Sequence, residues 1–215
     1  MLRPRLILCN SGASAAEFAM VLPLLILFLL GIIDAGRLAW QLNRAEKATQ
    51  AGARVAAVTN SFPSGLRTEN YVGQSVTTSS GTVTLTQGDS IPREALGEIL
   101  CTRAGGCSCA TAPCPATIGT IDTDVFDNVL LPRMKAMYGA ITAANVELRY
   151  SGSGLGFAGD PNGMEIAPLV TVQLVSTQAA PLKFTPISTL RMASFSLPSF
   201  RTTLTAEDAS GDKSF

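Results

Sequence analysis

Six side chains in this sequence have the type and spacing to do chemistry. One is Glu17, which stands beside an apolar run five positions after Gly12. Four more are Cys101, Cys107, Cys109 and Cys114, spaced C-x5-C-x-C-x4-C, and the sixth is the isolated Cys9. A carboxylate at the edge of an apolar helix is costly and calls for a partner or a function. Four cysteines within one short segment call for disulfides or a metal. The spacing is not a pair of CxxC knuckles and the chain has no histidine, which argues against zinc. An even count outside the cytoplasm favours two disulfides. Cys107 and Cys109 are poorly placed to bond each other across one residue. Of the three possible pairings, Cys101–Cys114 with Cys107–Cys109 is therefore the least favoured, and two lead: Cys101–Cys107 with Cys109–Cys114, or Cys101–Cys109 with Cys107–Cys114. Either would pin the glycine-rich loop 101–115.

The rest of the chemical inventory is thin. Without histidine the chain lacks the commonest general base and the commonest metal ligand. The glycines at 152, 154, 156 and 159 lack the lysine and following helix of a phosphate-binding loop. Asp122 and Asp124 read as solvated carboxylates. Asp160-Pro161-Asn162-Gly163 reads as a turn, because it lacks the alternating carboxylates of a calcium loop. The expectation is a non-enzymatic protein with no cofactor and no metal. The formal net charge is zero and no basic patch appears, so nucleic acid is not an expected partner.

The element that must position Glu17 is a helix. Residues 18–33 contain no charge, and residues 13–33 contain Glu17 alone. Those 21 residues would span roughly 31 Å as a helix, close to the hydrocarbon thickness of a bilayer. Membrane lipid is therefore an expected partner of a transmembrane helix at 13–33. Arg3 and Arg5 precede it with no acid before Glu17, which places the N-terminus in the cytoplasm. The bias is modest, because Arg37, Arg44 and Lys47 follow, partly offset by Asp34 and Glu46. A secretory signal peptide fits poorly: the apolar run is long and Ile33-Asp34-Ala35 is a poor cleavage site. Leu8 before Cys9 argues against lipidation of that cysteine.

Residues 34–60 continue as a helical extension, with Leu38, Leu42, Ala45, Ala48, Ala51 or Gly52, Val55 and Val58 at helical spacing. Trp40 suits either an interfacial anchor or a core position. Residues 61–215 read as an α+β domain outside the cytoplasm. Residues 76–87 form a strand or hairpin turning at Ser80-Gly81. Short helices are predicted at 92–100 and 122–131, the second kinked or ended by Pro132. Residues 145–150 and 169–175 alternate as an antiparallel strand pair around a glycine-rich loop, and 192–203 adds a strand interrupted at Pro198. The expected fold class is α+β: a long N-terminal helix, an antiparallel sheet and short helices.

The junction at residues 11–18, Ser-Gly-Ala-Ser-Ala-Ala-Glu-Phe, is similar to the processing site of type IVb prepilins. The likeness extends through Ala16-Glu17-Phe18-Ala19, Val21-Leu22-Pro23, Gly36-Arg37 and the run Ala-Thr-Gln-Ala-Gly-Ala-Arg at 48–54. With them, Leu197-Pro198-Ser199-Phe200 and the tail at 202–208 resemble the TadE-type pseudopilins of the tight-adherence (Flp) pilus system. The resemblance is specific over residues 11–58 and weak through the middle. It implies that residues 1–12 are a leader cut by a prepilin peptidase between Gly12 and Ala13. It implies that Glu17, with Phe18 beside it, then pairs with the amine of Ala13, its own or a neighbour's. It also implies other pilins or pseudopilins and a pilus assembly platform as partners, and a single-pass location in a bacterial inner membrane with the C-terminal domain in the periplasm. The alternative is an uncleaved, membrane-anchored envelope scaffold or ligand-binding protein.

Overall fold

A computed structural model describes residues 12–187, 194–206 and 209. Residues 1–11, with Arg3, Arg5 and Cys9, and the tail residues Glu207 and Asp208 lie outside them. So do Met192 and Ala193 of the predicted last strand. The chain is α+β, as the sequence predicts: one long helix, antiparallel sheets and short helices. It forms two compact units, one within Met1–Gln41 and Lys183–Phe195, the other within Leu42–Leu182 and Ser196–Phe215.

Helix α1, Ala13–Val58, is continuous and contributes to both units. Alanine, leucine and other good helix formers dominate it, and its single proline, Pro23, is carried inside the apolar stretch. In the second unit its inward stripe is Ala45, Ala48, Thr49, Gly52, Ala53 and Ala56, all buried. That spacing of three and four is one face of a helix. Val58, expected on this stripe, is instead 44% exposed, because the buried face rotates toward Gly52 and Ala56. The small side chains let α1 lie close to its neighbours. A Cβ on Gly52 would come 2.8 Å from Met134 Sδ and 3.1 Å from Val172 Cγ1.

The sheet of the second unit has five strands in the order β4-β3-β5-β6-β9, with antiparallel neighbours throughout. Its strands are β3 (Glu98–Thr102), β4 (Gly106–Thr111), β5 (Val146–Ser151), β6 (Leu169–Leu174) and β9 (Phe200–Thr205). Alternation sorts the side chains by face. Ile99, Cys101, Val146, Leu148, Tyr150, Val170, Val172 and Leu174 are buried, and the residues between them are part-exposed. Each full burial of a large aliphatic chain contributes about 1.5–3 kcal/mol of transfer free energy. The Thr49 hydroxyl meets the Thr202 hydroxyl at 2.9 Å, and Tyr150 Oη accepts the Phe62 N–H at 3.2 Å. Phe62 packs edge-on against Phe126, with ring centroids 6.1 Å apart.

The smaller elements follow the sequence in part. Strands β1 (Ser75–Thr78) and β2 (Gly81–Thr84) form the expected hairpin, but Val83 faces out at 45% exposure while Leu85 is buried. The pair predicted around residues 145–150 and 169–175 is β5–β6. The helix predicted at 92–100 is corrected. Only Arg93–Ala95 forms a 3-10 turn, and Glu98–Thr102 is strand β3. Ile99 and Cys101 bury on one face, and the strand is paired on both edges by β4 and β5. Short apolar runs do not separate strand from helix by periodicity alone, and sheet pairing decides.

The helix predicted at 122–131 continues past Pro132. It comprises α2 (Thr123–Val125), a π-turn (Phe126–Leu130) and α3 (Leu131–Met137). A proline ring inside an α-helix clashes with a carbonyl one turn earlier. The π-turn, closed by the Leu131 N–H to the Phe126 carbonyl, widens the backbone just before Pro132. The strand predicted at 192–203 with an interruption at Pro198 is β8 (Phe195–Ser196) and β9 on either side of that break; the two join different sheets, β8 pairing with β7 (Lys183–Phe184).

Candidate functional site: the N-terminal helix and its boundary

Gly12 is exposed immediately before the first residue of α1, Ala13. A Cβ on Gly12 would meet nothing within 4 Å. Among the described residues, nothing therefore demands glycine here. Glu17 is exposed one helical turn after Ala13, where a carboxylate interacts favourably with the helix dipole. Phe18 beside it is 63% exposed.

From Phe18 onward the helix presents a fully solvent-facing apolar surface. Met20 and Leu24 are 80% and 71% exposed, and no residue of the most apolar 18-residue window is buried. Soluble proteins bury such surface, and contiguous exposed apolar area marks a membrane or partner contact. The helix is long and apolar enough to cross a membrane, which is compatible with a single-pass anchor. Pro23 is tolerable within a membrane helix, where freed backbone groups are re-satisfied locally. Trp40 is exposed, so the core alternative for it is overturned.

The apolar surface ends at a built feature that sequence reading treats only as a passing charge. Asp34, the first charge after residues 18–33, is 7% exposed. Its Oδ1 accepts from Arg37 Nη1 at 3.0 Å and from the backbone N–H of Ile187 at 2.9 Å. The Arg37 guanidinium lies 5.5 Å over the Phe184 ring, and Phe184 stacks on Phe195 at 5.4 Å. A buried carboxylate must be paired, and these donors supply the pairing. The sequence signal was available: a carboxylate and an arginine three apart, directly after the apolar run.

Three of the cysteines lie on a β-hairpin, and Cys114 lies just after its second strand. Cys101 is in β3 and Cys107 and Cys109 are in β4, with Gly105 and Gly106 near the turn. Cys101 bonds Cys107, its direct cross-strand partner, and Cys109 bonds Cys114. This is the first of the two leading pairings. The first bond also reaches the core, through the fully buried Cys101. The second bond lies at the exposed edge of the sheet.

Several other carboxylates have structural partners. Asp122 caps α2 by accepting the Val125 N–H at 3.1 Å, and Asp124 accepts from Asn128. Asp160 closes its turn by accepting the Asn162 N–H at 2.9 Å. Arg103 and Asp127 pair at 2.9 Å, and the guanidinium holds that carboxyl below the usual range. Arg149 bridges Glu98 and Glu147 on the part-exposed sheet face. Among the described residues, no three histidine, cysteine, aspartate or glutamate side chains are placed to hold a metal ion.

The helix, with its apolar surface between Glu17 and Asp34, is thus the feature that sets this chain apart. Residues 12–54 match the family model of TadE-like proteins. This bears out the resemblance over the segment that carries Gly12, Glu17, the apolar surface and the alanine-rich stripe. The TadE-like segment ends within α1, before the sheet begins. Comparison with curated proteins and with solved structures found no match.

Proposed function

We propose that this protein is a membrane-anchored pseudopilin or minor pilin that acts in assembling or priming a tight-adherence pilus. The observation that carries the reading is the TadE-like match over residues 12–54, opening on Gly12 and Glu17 and containing an exposed apolar helix surface. On this reading a prepilin peptidase removes residues 1–12. Glycine suits the scissile position because it imposes no side chain on an extended substrate backbone. The new amine at Ala13 lies one turn from Glu17, and Glu17 pairs with it or with the amine of a neighbouring subunit. The helix anchors the chain in a bacterial inner membrane, N-terminus inward, with the sheet domain in the periplasm. The oxidising periplasm suits both disulfides. The chain works through assembly with other pilins or pseudopilins and the assembly platform, and catalyses no reaction itself.

Mass spectrometry of the N-terminus in cells with active peptidase tests the reading. The expected mature chain begins at Ala13, and an intact leader refutes processing. Gly12→Leu should block cleavage while leaving the fold unchanged, since the site has open space. Normal pilus assembly by the uncleaved Gly12→Leu protein would favour an uncleaved envelope scaffold instead.

A further inference from the structure

The geometry points to a second membrane contact: Ile187, fastened to helix α1 by Asp34, and Phe195, packed on Phe184 beside Arg37, dock into the phospholipid interface where the helix leaves the bilayer. This rests on the reading of α1 as the membrane anchor. The depth of the contact follows from chain geometry. Asp34 comes directly after Ile33, the last residue of the apolar run. The Ile187 N–H is bonded to Asp34 Oδ1 at 2.9 Å, so Ile187 lies within a side-chain length of that boundary.

The attachment is made at several points. Arg37 reaches the same carboxylate oxygen and also covers the Phe184 ring, which is itself buried and stacked on Phe195. Fastening Ile187 in this way would be unremarkable if it and Phe195 were buried. Instead Ile187 is 58% exposed and Phe195 46% exposed. Lys183 is exposed in the same segment, and Trp40 is exposed on α1.

The interfacial layer on one side of a bilayer is roughly 5–7 Å deep; Ile187, held at Asp34 itself, falls within it, while Trp40, six residues or about 9 Å further along the helix, lies past it. Aliphatic and aromatic groups flanked by a lysine match that layer: ring and methyl groups enter it while the ammonium meets lipid phosphate. The exposed apolar surface of residues 18–33 is continuous in sequence with Asp34, so the same bilayer supplies the covering. The buried Asp34 carboxylate is then a positioning group that holds Ile187 at this depth.

Tryptophan fluorescence of the full chain, reconstituted in phosphatidylethanolamine–phosphatidylglycerol vesicles with brominated acyl chains, tests the proposal. In a Trp40→Phe background, Leu25→Trp reports the spanning helix and Ile187→Trp reports the docked segment. The expected result is quenching and blue-shifted emission for both, with the Ile187→Trp signal alone lost on adding Asp34→Ala. Quenching of Leu25→Trp without quenching of Ile187→Trp overturns the second contact and leaves the anchor standing. Absence of quenching at both positions overturns the anchor and the contact together. Ile187→Trp quenching that survives Asp34→Ala overturns the fastening role of Asp34.

Discussion

Removing the two disulfides one at a time should give unequal losses of stability. Each closes a short loop, with sequence separations of 6 and 5. Loop-closure entropy in the unfolded chain then gives roughly 2 kcal/mol for either bond. The native-state surroundings differ. Cys101 is fully buried on the core face of β3, while Cys109 and Cys114 are not buried. Cys101→Ala with Cys107→Ala therefore also loses core packing, about 1 kcal/mol more. Cys109→Ala with Cys114→Ala loses only the loop constraint. For a domain of this size, each kcal/mol shifts Tm by about 2–4 °C. The first double variant should melt about 6–12 °C below the parent, and the second about 4–8 °C below it. Thermal melts of the full chain in detergent, under non-reducing conditions, give the comparison. Equal losses, or a larger loss for the Cys109 and Cys114 pair, would refute the reasoning from burial. A non-reducing peptide map that joins Cys101 to Cys109 would refute the pairing itself.

Tyr150→Phe removes the acceptor of the buried Phe62 N–H and should destabilise the protein by about 1–2 kcal/mol, measured by urea denaturation. Burial pushes the Tyr150 phenol well above its ordinary value, and burial with the nearby Glu69 and Glu165 carboxylates does the same to Tyr71. Both phenols stay protonated in the folded chain but ionise in the unfolded chain, so their stabilisation is complete below about pH 10 and is lost progressively above it. Urea midpoints should fall in that alkaline range, and the fall should be smaller in Tyr71→Phe. Gly152→Ala would drive a methyl into the Arg93 carbonyl oxygen, with Leu96 O only 2.8 Å away. It should cost on the order of 1–3 kcal/mol, and wild-type stability would count against the close approach of β5 to the 93–96 turn.

Local chemistry made much of the architecture legible. The helix needed only its alanine and leucine content, and the β1–β2 and β5–β6 strands needed only alternation. The errors share a cause. Residues 98–102 carry both a short apolar run and an alternating one, and two flanking strands settled the choice. Pro132 looks like a terminator until a π-turn accommodates it. Val58 fits a helical stripe whose orientation was set by where Met134 and Val172 leave room for Gly52.

The sequence by itself determined the membrane-length apolar run, the placement of Gly12 and Glu17 before it, and the α+β class. Those properties depend on composition and on neighbours a few residues apart. Tertiary structure alone decided which cysteines pair, since strand register put Cys107 opposite Cys101. It alone brought Ile187 to Asp34 across 153 positions of chain. Contacts at that separation depend on how whole elements pack, and no local pattern encodes them.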